Sequence, residues 1–480
     1  MGTGISMKEA EDVDSRAAKI IAELGAHPLV DVLRALQREE GCLTESSLRE
    51  LAANRMISLT RLYGIATSWP EFRFEAPREE ERPRSPAGEL PEPLGAVARG
   101  GAPGLLVPGS LTARFGEPPQ DLAAYEAAGG MRALRRALTE MKPEQALSEV
   151  VLGGLTDKPE DWQRAEAGSK EPLIVINCHS GDPLAHQAGE LLRKDPYAVL
   201  EGAFIGAVAA GARRGYIFLD PRDAPLKDRL TEAAGSVQRE ADIDFAVEAF
   251  VGPDSLVGSV DSVAAAAIGG NRPVPAAVPE DIAIKGIQGQ PVLVDSAECF
   301  ASIAATLAEG RRVESRIFQV TGAVPWEGLV EAEYRRMSVD DLIAEAGAPR
   351  GSQVLIGGLA GQILSGRFLE LPLPAFQRGD NPRWRTVHVF GETEDRFGLA
   401  AQLAACNARH LCGHCIPCRI GSVRMAEMMG AGRVDRETLE EVAITVEKTG
   451  LCSAGRGAAA LVMSVIENGL FCTLSAAGGT

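Results

Sequence analysis

The apolar positions change their spacing along the chain, and each change marks a different kind of element. Leu29, Val32, Leu33 and Leu36 recur at helical intervals. Leu48 and Leu51 share a face behind the capping stretch Thr44-Glu-Ser-Ser-Leu48, and Leu59, Leu62, Ile65 and Ala66 repeat the period once more. A small helical head over 1–72 is the expected result. The rhythm then stops: Glu79-Glu80-Glu81 stands among prolines, and the stretch to Pro119 is rich in Gly and Pro, so 73–120 reads as a linker. From Asp121 short apolar runs at 173–177, 216–219 and 243–250 alternate with helical patterns at 131–140, 199–212 and 226–239. That alternation predicts a Rossmann-like, doubly wound α/β layer over 121–312. Short strands around a helix at 339–346 suggest a β-grasp-like module over 313–365. After Leu399 the pattern is helical, so 366–480 reads as a C-terminal helical domain.

Composition narrows the class. At 480 residues, 45% hydrophobic and 24% charged, the chain is long enough for several ordinary globular cores. No apolar run approaches a membrane span, and polar, acidic Met1–Asp14 has no signal-peptide core. The expectation is a cytoplasmic chain with no direct membrane insertion, whose nine cysteines serve as thiols and ligands rather than disulfides. A formal charge of −17 argues against nucleic-acid binding, which needs basic surfaces.

The chemistry-bearing motif is Cys412-Gly-His-Cys415-Ile-Pro-Cys418, followed at a distance by Cys452. Two-residue gaps let one loop turn three thiolates onto one cluster, and a remote segment closes the fourth corner of a [4Fe–4S] cubane. Structural zinc also accepts four thiolates, but more often from two separated C-x2-C knuckles, and it stays open as the alternative on spacing alone. Cys406, Cys472, Cys42, Cys178 and Cys299 read as core packing or buried thiols. His414 and Arg419, inside and beside the loop, could tune a cluster's potential.

Taken together, these features resemble the NADH-binding flavoprotein subunit of respiratory complex I. That family includes the diaphorase subunit of soluble hydrogenases and the β subunit of NAD-dependent formate dehydrogenases. The resemblance runs from about Tyr125 onward: Ala128-Gly-Gly-Met131 and the helix behind it, Lys194-Asp-Pro-Tyr-Ala-Val-Leu-Glu-Gly202 into Gly215-Tyr-Ile-Phe218, Lys285-Gly-Ile-Gln-Gly-Gln-Pro291, Gly357-Gly358 with Gly361, and the cysteine loop with Leu451-Cys452-Ser-Ala-Gly455. It implies [4Fe–4S] rather than zinc at the four cysteines. The head resembles the helical head of the thioredoxin-like [2Fe–2S] subunit often fused to this family, but the cysteines of that subunit's cluster are missing.

The flavin and nucleotide motifs depart from the family. Its Gly-rich FMN loop is reduced here to Val151-Leu-Gly153-Gly154, shortened before Thr156. Its N-A-D-E-[GS]-E-P-G segment becomes Asn177-Cys-His-Ser-Gly-Asp182-Pro-Leu184, and the following Lys-Asp-Arg becomes Gln187-Ala-Gly189. C-G-E-E-T becomes Val251-Gly-Pro-Asp-Ser255, and N-N-V-E-T becomes Asp295-Ser-Ala-Glu-Cys299, which sets an acid where a phosphate-bearing cofactor would lie. Gly153, Gly154, Asn177, Asp182 and Asp295 are therefore the degenerate cofactor-site positions, and Cys412, Cys415, Cys418 and Cys452 the metal-site positions. The expectation is an electron-relay subunit with one [4Fe–4S] cluster, FMN and NAD binding lost, working with other iron–sulfur or flavin subunits. The alternative is an active NADH dehydrogenase flavoprotein subunit using FMN.

Overall fold

The protein is seen here as a computed structural model, described over residues 16–24, 27–75, 89–92, 94–100, 104–152, 156, 158–167, 170–277, 282–283, 286–376, 385–431 and 435–470. Among the described residues ten strands form two sheets. The first comprises β2 (Leu173–Asn177), β3 (Arg214–Leu219), β4 (Ala246–Val251) and β5 (Val292–Ser296), all parallel, in the order β4-β3-β2-β5. The connections run outward from β2 in one direction to β3 and β4, then return to its other side with β5. The order therefore reverses at β2, and a crevice outside the carboxyl ends of β2 and β5 is where such sheets bind ligands.

Both faces of this sheet are covered, as a parallel sheet requires. On one face Ile174, Ile176, Ile217 and Leu293 pack against the helices Pro196–Ala210, Lys227–Ala241 and Ala297–Glu309. Pro196–Ala210 is buried nearly all round. A Cβ at its Gly202 would collide with the Phe300 carbonyl, so glycine lets two helices touch backbone to backbone. On the other face Val175, Phe218, Phe250 and Val294 share a core with Leu33, Leu36, Leu51, Ile65 and Trp69 of the N-terminal head. The head helices Leu29–Glu40, Glu45–Asn54 and Leu59–Ala66 thus supply an outer layer of the α/β unit. Arg34 secures this docking: its guanidinium donates to Val251 O (2.9 Å) and Gly252 O (3.1 Å), pairs with Glu71 (2.9 Å) and lies over the Trp69 ring.

The second sheet has the order β1-β7-β6-β10-β8-β9, with β1 at Leu105–Val107, β6 at Ser315–Gly322, β7 at Gly328–Glu333, β8 at Val354–Ile356, β9 at Gln362–Leu364 and β10 at Thr386–Val389. Val339–Glu345 packs on one face through Val339, Leu342 and Ile343. Two expected boundaries shift here. β1 and the helix Leu94–Gly100 fall within the stretch read as linker, and Leu90, Leu94 and Ala98 enter the core of the C-terminal helices. β10 lies beyond the expected limit at 365 yet takes a central place between β6 and β8. The C-terminal unit consists of Arg396–His410, Ile416–Gly430, Arg436–Thr449 and Ser453–Glu467. Its last helix covers the open edge of β9: Ser464 Oγ accepts from Ile363 N (2.9 Å), and Asn468 donates to Ile363 O (3.0 Å).

Buried Glu201 holds the helix Arg132–Thr139 in place, accepting from Tyr125 OH (2.6 Å), Met131 N (3.1 Å) and Leu134 N (3.0 Å). Glu201→Ala leaves three buried donors without an acceptor, each costing roughly 1–3 kcal/mol. A denaturation midpoint is expected to report a loss on the order of 3 kcal/mol or more, with Glu201→Gln intermediate.

Candidate functional site

The crevice at the carboxyl ends of β2 and β5 holds Asn177 and Asp295, with Asp182 in the turn that follows β2. Asn177 closes β2 opposite Ser296, and Asp295 lies opposite Ile176. The described side chains here are paired with one another. Asp295 accepts from Thr156 Oγ1 and Trp162 Nε1, both at 2.7 Å. Asn177 Nδ2 donates to Ser259 O and Asp261 Oδ1, both at 3.1 Å, and Lys158 pairs with the same Asp261.

The turn after β2 is likewise closed on itself. His179 is buried, its ring stacked on Phe218 with centroids 5.6 Å apart. Nδ1 accepts from Gly181 N (3.0 Å), which leaves the proton on Nε2 to donate to Pro253 O (2.8 Å). A Cβ at either Gly252 or Gly258 would strike this imidazole, so two glycines make the slot it fills. Arg222 donates to Ser180 Oγ (2.8 Å), Pro183 O (2.7 Å) and Ala185 O (2.9 Å). Burial alone would raise the Asp220 carboxyl, but the Arg222 guanidinium, charged and hydrogen-bonded to it, holds it far below the carboxylate range. Asp182 accepts from Leu184 N and, across the interface, from Leu359 N, both at 2.9 Å. The cavity left among Asn177, His179, Ser296, Glu298 and Arg385 measures about 30 Å³, room for a water molecule, whereas small-ligand sites run to about 300–1,000 Å³. Gly153 and Gly154 lie outside the described residues.

The four cysteines meet beside this crevice, where Cys452 shares a small apolar core with Val257, Val260 and Val263. Gly413 turns the loop in the left-handed conformation (φ +64°). Cys415 stands at the N-terminus of Ile416–Gly430 and Cys452 at that of Ser453–Glu467; neither helix start has a side-chain cap of its own. Helix N-termini present unsatisfied N–H groups that favour thiolate and anionic clusters. Cys418 and Cys452 are buried, Cys412 and Cys415 half-buried. Desolvation pushes the Cys412 thiol up to about 11, with Cys452 and Cys415 adding to the rise, and Cys418 is raised by burial and by the other three. Four cysteine sulfurs brought this close together are a donor set suited to a positively charged metal centre. A Cβ on Gly455 would press on Cys418 Sγ, so glycine keeps this corner open. Among the described residues no group of three or more His, Cys, Asp or Glu closes on a single ion. A cubane does not ask for that closure, since each thiolate takes its own iron. Cys178, Cys299 and Cys406 are buried as expected, while Cys42 is only half-buried; Cys472 lies outside the described residues.

Comparison with known proteins addresses the same two places. Residues 398–469 match the family model of the NADH-ubiquinone oxidoreductase-F iron-sulfur binding region, and 160–305 match the Nuo51 FMN-binding domain. Over these regions the chain is similar to the flavoprotein subunits of complex I and of hydrogenases. It is 23% identical over 411 residues to the NAD-reducing hydrogenase HoxS subunit alpha of Cupriavidus necator, covering 75% of this chain and 68% of that one. An NADH-quinone oxidoreductase subunit of Aquifex aeolicus is 22% identical over 373 residues, covering 71% and 87%. NADP-reducing hydrogenase subunit HndC of Solidesulfovibrio fructosivorans is 25% identical over 395 residues, covering 73% and 79%. In fold, a chain of the air-oxidized NAD+-reducing [NiFe]-hydrogenase superposes with a TM-score of 0.69 at 19% identity, over 92% of both chains.

Against that family the two sites differ in fit. The cysteine loop has the donors, helix termini and small neighbours a cubane needs. At the flavin end, the described side chains of Asn177, Asp261 and Asp295 are engaged with one another or with their neighbours, and the cavity among Asn177, His179, Ser296, Glu298 and Arg385 holds only about 30 Å³. Sequence reasoning identified Asn177, Asp182 and Asp295 but missed Arg222 and Trp162, which satisfy that turn and Asp295 from separate helical segments. No local signal marks either residue, because their roles arise only when β2, β3 and β5 end side by side.

His186 follows this turn, buried, with Nε2–H donating to Val97 O (3.1 Å). Burial, reinforced by nearby Arg222, lowers it to about 4. The unfolded chain therefore binds the extra proton between an ordinary histidine value near 6.5 and about 4. The stability it contributes is complete above that upper value and falls as pH drops through the window, by about 3 kcal/mol in all. The wild-type minus His186→Gln difference in unfolding free energy is expected to vary over that window and stay flat above it.

Proposed function

We propose that this chain is an electron-relay subunit: Cys412, Cys415, Cys418 and Cys452 hold one [4Fe–4S] cluster, while FMN and NADH binding have been lost. The observation that carries this reading is the contrast between a four-thiol loop ready for a cluster and a switch-point crevice already filled by the chain's own hydrogen bonds. A cubane in the loop supplies one-electron redox chemistry at a potential set by its surroundings. The protein's part is to orient four thiolates at two helix starts, exclude water at Cys418 and Cys452, and offer Arg419 as a nearby positive charge. The division into head, α/β unit, β-grasp-like sheet and helical cluster unit belongs to the same reading, as does a cytoplasmic setting; among the described residues no helix is long and apolar enough to cross a membrane.

A second reading, an active flavoprotein that oxidises NADH, draws on the FMN-binding-domain match over 160–305. Anaerobic purification with iron, sulfide and flavin analysis separates the two. The relay reading expects about four irons and four sulfides per chain with no flavin; stoichiometric FMN bleached by NADH would overturn it. Cys418→Ser is expected to remove most of the iron and sulfide with it.

Relatives are subunits of multisubunit redox enzymes, so electrons need a docking partner. Ile416, Ile420 and Val423 are 67%, 60% and 43% exposed on the cluster-bearing helix, at spacings that align them on one face, with exposed Arg419 and Arg424 beside them. An apolar stripe next to a redox centre, rimmed by arginine in a chain of net charge −17, suits an iron–sulfur or flavin subunit with an acidic rim. Ile420→Asp is expected to weaken partner co-purification by tenfold or so while leaving iron content unchanged; retention at wild-type levels would remove this face from consideration.

A further inference from the structure

The second sheet ends in a cavity that neither site uses. β1 and β7 run parallel and β6 antiparallel to β7, so the ends of β1 and β7 and the start of β6 meet at one edge. The residues just beyond these strand ends bring four arginines together: Arg311 and Arg312 before β6, Arg335 and Arg336 after β7. With the Ser110 and Ser315 segments they line an open cavity of about 350 Å³, a small-ligand volume with guanidinium groups on its walls in place of the usual hydrocarbon.

The carboxylates around it are already distributed. Glu309 pairs with Arg311 (2.6 Å) and Glu333 with Arg336 (3.3 Å). Glu331 is buried beneath, accepting from Leu111 N (3.0 Å), Thr112 N (2.9 Å), Thr112 Oγ1 (2.8 Å) and Ser315 Oγ. Glu314 is shared between two arginines, lying 2.9 Å from Arg312 Nε and 3.3 Å from Arg335 Nε.

We propose that this cavity is an anion site for a small, multiply charged phosphate compound carrying a pyrophosphate group, with Arg312 and Arg335 as its principal contacts. The Glu314 carboxylate stands in for a ligand oxygen: it sits between two guanidinium groups, the arrangement in which arginines grip phosphate. Binding requires Glu314 to swing away, so the site carries its own competitor. This inference is independent of whether flavin binds at the other sheet.

Two substitutions then act in opposite directions, which separates a site from a mere surface ion-pair network. Isothermal titration of the full-length, cluster-loaded chain with inorganic pyrophosphate at low ionic strength should give one saturable site, weakened by salt. Glu314→Gln should tighten it about tenfold, and an Arg312→Gln/Arg335→Gln double variant weaken it about tenfold or more. Citrate, as a polycarboxylate control, should bind less tightly. A gain in Glu314→Gln cannot come from misfolding, so the proposal remains testable even if the arginine variant is unstable. No saturable heat up to millimolar pyrophosphate, no gain in Glu314→Gln, or unchanged binding in a folded double variant would each overturn it.

Discussion

Parallel strands all end on one side, so their last carbonyls and the polar side chains that follow are gathered at a single buried edge and must be satisfied there. The rest of this molecule is arranged around that demand. His179 meets it for Pro253 and Gly181, Arg222 for Ser180, Pro183 and Ala185, and Arg34 from the head for Val251 and Gly252. Several of these bonds involve a charged group and are worth about 1.5–3 kcal/mol each. A phosphate-bearing ligand entering the crevice would have to break several of them and approach Asp295 and Asp261 besides. On the relay reading, an anionic cofactor would compete with these bonds of the fold itself.

The same edge fixes the cysteine loop through a short relay. Asp182 accepts from Leu359 N in the turn Gly358–Ala360, and Leu359 O in turn accepts from Asn407 Nδ2 at 2.6 Å. Asn407 lies near the end of the helix that leads into Cys412. Gly457, one turn into the helix behind Cys452, packs so closely on Ala360 that a Cβ there would collide with its carbonyl. Asp182 is thus a joint between the α/β unit and both arms of the cluster loop. Its retained charge, read from the sequence as a remnant of flavin binding, has a structural use that accounts for it.

What the sequence made legible follows from how local each signal is. Cys412, Cys415 and Cys418 lie in one loop, so spacing alone suggests the chemistry, and β2 and β3 announce themselves as runs of β-branched and aromatic residues. β1 and β10 did not, because each is three or four residues long and borrows its stability from β7, β6 and β8, which are remote in sequence. The head's three helices were plain from their periodicity, but their place on the sheet was not. Trp69 and Phe72 are buried against Phe250 only after docking, and an isolated helical bundle would show the same apolar stripe. Likewise Asp295 could be recognised as an acid in a phosphate position, whereas its partners Thr156 and Trp162 come from a segment more than a hundred residues away.

These links bear on why an α/β unit without flavin chemistry would be kept. Three ligand cysteines start one helix and the fourth starts another, so the cluster depends on how those two helices are held relative to each other. Ser453–Glu467 is anchored along β9 through Ser464 and Asn468, and its first turn rests on Ala360. β9 belongs to a sheet whose central strand, β10, is preceded by Arg385, paired with Glu298 of the α/β unit. Deleting this crevice would therefore loosen the second sheet, and with it the spacing between Cys418 and Cys452. On the relay reading, selection on the cluster alone is enough to preserve the crevice as a packed, hydrogen-bonded support, and the changes at His179, Asp182 and Asp295 are those that let it hold its shape with nothing bound.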